Sequence, residues 1–142
     1  MKHHIVVAAV VAFVAACSSA HSVAVHAGDR CFRCHRVIGD ARLGAAIVDP
    51  DGRAFTFRTA GCLAKYVKDH PTDTAGTNYV TDHGSGRMFP ADRAYFVATV
   101  VESEGGMVKE PDYMAFEYSN DAQAAAPGAA LLRWDAVILA VS

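Results

Sequence analysis

From Leu43 to Val48 the chain is apolar without interruption. Asp49-Pro50-Asp51-Gly52 breaks the run, and Arg53-Ala54-Phe55-Thr56-Phe57 then alternates. Asp-Gly between two such runs predicts a hairpin, with the alternating segment as the return strand. Thr59 is placed to cap a helix starting near Ala60. Cys62, Leu63, Tyr66 and Val67 fall at i, i+1, i+4 and i+5 and share one apolar face. Lys65, Lys68 and Asp69 lie around the other face, as in an amphipathic helix. Pro71 stops it. A loop over 72–77 leads to a strand at Asn78–Asp82.

A second series follows the same order. Ala94–Val101 is β-branched and aromatic, which predicts a strand. Gly105-Gly106 marks a turn region, and Tyr113–Tyr118 reads as the returning strand. Ser119 or Asn120 caps a short Ala-rich helix to about Ala126. Pro127-Gly128 ends it, and Ala130–Trp134 reads as a last strand. The order β-β-α-β thus occurs twice, without a repeat of sequence. It predicts an α+β domain of two ββαβ units.

The N-terminus is of another kind. Lys2, His3 and His4 precede an unbroken apolar run from Ile5 to Ala16. This is shorter than the roughly 20 residues that a membrane-spanning helix needs, and it has the length of a signal-peptide core. Val14-Ala15-Ala16-Cys17 places small residues directly before a cysteine, as in a lipobox. Residues 1–16 are therefore read as a lipoprotein signal peptide, with Cys17 the lipidated residue. Ordinary cleavage after Val25-His26-Ala27 is the alternative. Residues 17–30 read as a flexible tether of small residues, and 31–142 as the folded domain. The expected location is the periplasmic face of a bacterial membrane, held by the lipid anchor.

Charge excludes one class of function: the 142-residue chain has a formal net charge of −2, so there is no electrostatic case for a nucleic-acid partner. Export changes the arithmetic of the cysteines. With Cys17 lipidated or removed, Cys31, Cys34 and Cys62 remain, an odd number in an oxidising compartment. Cys62, at the start of the first helix on its apolar face, reads as a buried inert thiol, with a metal or disulfide role as the alternative.

The chemistry centres on Cys31-Phe32-Arg33-Cys34-His35. C-x-x-C is a thiol redox pair or half of a soft-metal site. With the following histidine it is also the attachment motif of a c-type haem. Cys31 and Cys34 would form the thioethers, His35 would bind iron, and Met107 is a candidate sixth ligand. The redox reading expects a helix N-terminus beside a βαβ sheet, and here the motif precedes the first strand. No general acid–base pair or nucleophile–base constellation stands out, so no enzyme activity is expected.

Several segments together resemble the NosL family, accessory lipoproteins of nitrous-oxide reductase assembly. They are Cys31-x-x-Cys34, Ala46-Ile47 with Asp51-Gly52, Tyr79-Val80-Thr81-Asp82, Ala91–Val97, Gly105-Gly106-Met107, Ala115-Phe116 and Leu131–Trp134. They occur in family order over about Cys31 to Asp135. The resemblance implies a membrane-tethered copper(I) chaperone with two ββαβ units. Its clients would be a periplasmic metalloenzyme or the machinery that assembles it. By position it carries the metal cysteine onto Cys34 and a metal-binding methionine onto Met107. The sequence departs from the family at one place: His35 and Arg36 stand where the family has glycine and methionine. The expected metal residues are Cys34, Met107, Cys31 and His35, with copper(I) as the favoured ion and haem c as the alternative.

Overall fold

The structure is a computed structural model that describes residues 22–72, 75–103 and 105–142. The apolar run, Cys17 and the first residues of the expected tether lie outside the described residues.

The first unit forms as its pattern predicts. Strands β1 (Ala45–Val48) and β2 (Ala54–Phe57) pair antiparallel, from Ala45 opposite Phe57 to Val48 opposite Ala54. Gly52 takes a φ of 83°, the left-handed conformation that the turn requires. Asp49 fastens the turn by accepting the Arg53 N–H at 2.8 Å. Helix α1 (Ala60–Asp69) starts at Thr59, whose hydroxyl oxygen accepts the Cys62 N–H at 3.0 Å. Strand β3 (Thr77–Thr81) then pairs with the other side of β1, and β4 (Met88–Pro90) adds beyond it, giving the order β2-β1-β3-β4.

The second unit is a long hairpin. Strands β5 (Tyr95–Glu102) and β6 (Lys109–Phe116) pair antiparallel along their whole length. Helix α2 (Ser119–Ala125) packs on it, and Val97, Phe116 and Ala122 form a small core there. The expected last strand shrinks to one bridge, between Leu132 and Phe96. The chain then enters helix α3 (Trp134–Ala140). Trp134, Val137, Ile138 and Val141 recur at i, i+3, i+4 and i+7, which is helical spacing. The fold is thus α+β, with a ββαβ unit followed by a ββα unit closed by a bridge.

The main core joins the two units. Ala45 and Ile47 of β1, Leu63 of α1, Phe96 of β5, Ala115 of β6 and Val137 of α3 belong to one buried cluster, together with Cys31 and Cys62. Strand β1 is buried on both faces, since Ala46 points the other way into Val25 and Ile38. This explains why its sequence is continuously apolar rather than alternating. Val25 is buried, and Gly28 N–H donates to the Ile38 carbonyl at 2.9 Å. Packing therefore begins ahead of Cys31, within the segment read as tether.

Asp82 fastens the β3–β4 turn to the end of β6. Its carboxylate accepts the Ser85 N–H at 2.7 Å and the Glu117 N–H at 2.9 Å. Burial pushes this carboxyl up, but the Glu117 amide, the Ser85 hydroxyl and amide and the Arg87 charge outweigh it and hold it below the usual carboxylate range. A depressed folded pKa means that the unfolded chain binds the proton first as pH falls. The stabilisation is then complete above the ordinary aspartate range and fades as pH drops through the folded value. Urea midpoints measured across the acid range should show this loss in the wild type, and Asp82→Asn should flatten it. An unchanged acid slope in the variant would refute the role.

Candidate metal centre

The C-x-x-C-H segment is a tight arch. An antiparallel bridge between Arg30 and Val37 closes its base. Cys31 N–H donates to the Arg36 carbonyl and His35 N–H to the Cys31 carbonyl, each at 2.9 Å. The arch rests on β2, an edge strand of its sheet: Phe32 N–H donates to the Thr56 carbonyl at 2.7 Å, and the Thr56 hydroxyl donates to the Arg30 carbonyl at 3.1 Å. The Phe32 ring packs on Phe55 and Tyr66, with centroids 4.8 and 5.6 Å apart. Backbone pairing and aromatic contact together fix where the two cysteines point.

Cys31 points inward and meets Cys62 from the first turn of α1, with the two sulfurs 3.4 Å apart. Cys34 completes the group: the three sulfurs lie within 4.8 Å of one another. A metal–thiolate bond of about 2.3 Å sets sulfurs around one trigonal ion about 4.0 Å apart, inside that span. The three thiols are free of disulfides. Cys31 is 0% and Cys62 4% exposed, while Cys34 is only partly covered.

The thiols are electrostatically unequal. The hydrogen bond shared with Cys62 pulls Cys31 down to about 5, against the opposing effect of burial and with help from the backbone amides of Cys34, Arg58 and Arg33. The same contact, burial and the charges of Cys31 and Cys34 push Cys62 far up. The two buried sulfurs share one hydrogen bond, and their titrations are tied to each other through it. Thiols must lose their protons to bind a metal, so an incoming cation displaces protons from this group.

Cys62 is held in place by α1. Thr59 accepts the Cys62 N–H and donates its own hydroxyl to Asp112 Oδ2 at 2.5 Å. Asp112 Oδ1 accepts the Gly61 N–H at 2.9 Å. A Cβ on Gly61 would lie 2.6 Å from that oxygen, so only glycine permits the approach. The first turn of the helix is thereby pinned to β6.

Cys31 and Cys34 come together as the motif suggests. His35 is exposed and carries a φ of 60°, the left-handed region that a β-carbon disfavours. This is the position at which the resembling family has glycine. Arg36 donates to the Ser103 carbonyl and pairs with Glu102 at 3.6 Å. A Cβ on Gly106 would lie 3.6 Å from its guanidinium, so the arch borders the Gly105-Gly106-Met107 turn. Met107 itself is 90% exposed there, whereas Met114 packs into the small core near α2. Cys62 is the residue that the sequence reading undervalued. The odd cysteine count was the signal for it, and its place on an apolar helix face hid it.

Sequence comparison finds no matching family model and no matching curated protein. The fold does have a solved counterpart. The crystal structure of the copper chaperone NosL from Shewanella denitrificans aligns with a TM-score of 0.60, covering 80% of this chain and 92% of that one at 17% identity. This chain is similar to it in fold. That protein is, by its description, a copper chaperone.

Two measurements check the site's geometry. His35→Gly should raise stability by about 1 kcal/mol in urea unfolding, because it removes a left-handed β-carbon. A destabilised variant would refute the strain. Alkylation of the native, reduced protein followed by peptide mass mapping should label Cys34 well before Cys31 and Cys62. Equal labelling would show that the buried pair opens as readily as the arch.

Proposed function

We propose that this protein carries copper(I) in the Cys31, Cys34 and Cys62 site and delivers it to a client metalloenzyme or its assembly machinery. The observation that carries the reading is the convergence of three thiols within 4.8 Å, two of them buried. Copper(I) is a soft ion that favours thiolates at low coordination number. The fold neighbour, a copper chaperone, points the same way. Met107 and His35, both exposed, remain in the proposal as peripheral donors. The protein acts as a carrier rather than an enzyme and has no nucleic-acid partner. The N-terminal run and Cys17 support a lipid-anchored chain on the periplasmic face of a membrane.

The geometry weighs against the two other readings. Thioether attachment of haem needs both cysteine sulfurs at the macrocycle, and Cys31 is 0% exposed with its sulfur against Cys62. A haem would require the arch to be unpacked from β2. A thioredoxin-like pair needs a helix N-terminus. Here that position belongs to Cys62, not to Cys31 or Cys34.

Anaerobic titration of the reduced protein against the copper(I) chelator bicinchoninate tests the reading. One equivalent should be withdrawn from the chelator. Cys31→Ser and Cys62→Ser should each weaken retention by about tenfold or more, since even outer groups around a metal are worth that much. A reduced protein that leaves the chelator's copper untouched sinks the proposal. A haem absorption band with one haem of added mass, after export in a host that attaches haem c, would replace it.

A further inference from the structure

We infer that Cys34 is the ligand through which the metal is exchanged, while Cys31 and Cys62 retain it. This rests on the soft-metal reading above and adds a direction to it. The three sulfurs differ in what holds them. Cys31 is fully enclosed, its N–H bonded to Arg36 and its side chain in the main core. Cys62 is enclosed as well, on a helix turn locked by Thr59 and Asp112. Cys34 packs only at the margin of the core and lies partly open, next to the exposed, left-handed His35. Solvent, and any donor atom that a partner brings, reaches the ion from the Cys34 side.

The exchange step balances without redox chemistry. An incoming thiol bonds to the ion and the Cys34–metal bond breaks. The proton lost by the incoming thiol is taken up by Cys34, and the oxidation state of the ion is unchanged. Two sulfurs still hold the ion while the third position passes from this protein to its partner. Ligands on buried, rigid elements change places slowly; one on an open arch is free to leave.

The order is tested by chemical rescue. Cys34→Ala, Cys31→Ala and Cys62→Ala are loaded with copper(I) and titrated anaerobically against bicinchoninate, with and without 2-mercaptoethanol at one fixed concentration. Wild type at the same thiol concentration is the reference. Cys34→Ala should lose about tenfold in affinity and regain most of it in the added thiol, which enters the vacated position. X-ray absorption should then count three sulfurs around the copper, against two without the thiol. Cys31→Ala and Cys62→Ala should not recover, because their vacancies are enclosed. Cys34→Ser, closer in shape, should behave as Cys34→Ala does, and circular dichroism should confirm that each variant is folded. A folded Cys34 variant that is not rescued, or equal rescue of all three positions, overturns the inference. If the wild type takes no copper(I) at all, it is the carriage reading that fails.

Discussion

One buried carboxylate holds the two halves of the molecule in register. Asp112 sits on β6, in the second unit, and receives the Thr59 hydroxyl and Gly61 amide from the start of α1, in the first. The Tyr113 amide, at 2.8 Å, completes its partners. Burial raises this carboxyl above its usual range, while the Thr59, Tyr113 and Gly61 hydrogen bonds and the Arg58 charge oppose the shift. A helix N-terminus is a natural seat for such a group, because its first amides lack partners and its dipole favours negative charge. The seat is crowded enough to demand glycine at position 61. Thr59 also accepts the Cys62 N–H, so the same joint helps to set where Cys62 stands relative to Cys31.

Much of the fold could be read from residue order because the first unit is governed locally. The Asp-Gly turn, the Thr59 cap and the Pro71 stop each act within a few residues, and β1, β2 and α1 formed where those signals place them. Less could be read where tertiary packing decides. Lys109-Glu110-Pro111-Asp112 is polar and contains proline, yet it forms the outer half of β6. It does so because β5 supplies the partner and Asp112 supplies the anchor. Leu131-Leu132 reads as a strand, but only Leu132 finds a partner before Trp134 begins a helix. The site divides in the same way. Cys31 and Cys34 declare themselves by spacing. Cys62 joins them from 31 positions along the chain relative to Cys31, and only the docking of α1 reveals it.

His35 and Arg36, where the family that the sequence resembles has glycine and methionine, differ from that pattern in a physical way. A glycine at position 35 would adopt the left-handed turn freely; a histidine holds it with strain. A methionine at position 36 would bring a soft donor. Arg36 instead brings a guanidinium that binds the Ser103 carbonyl and pairs with Glu102. A clamp between the arch and the β5–β6 hairpin thus stands where a thioether would be. Two of the three thiols, Cys31 and Cys62, lie on the inner side, and Cys34 lies partly open.

The arch also does something that concerns neither thiols nor metals. β2 is a sheet edge, and an open edge invites another chain to pair with it. Phe32 meets that edge through its hydrogen bond to Thr56, so the segment that presents the cysteines also covers part of the strand. Swinging the whole segment away from β2 would bare that strand to pairing with another chain.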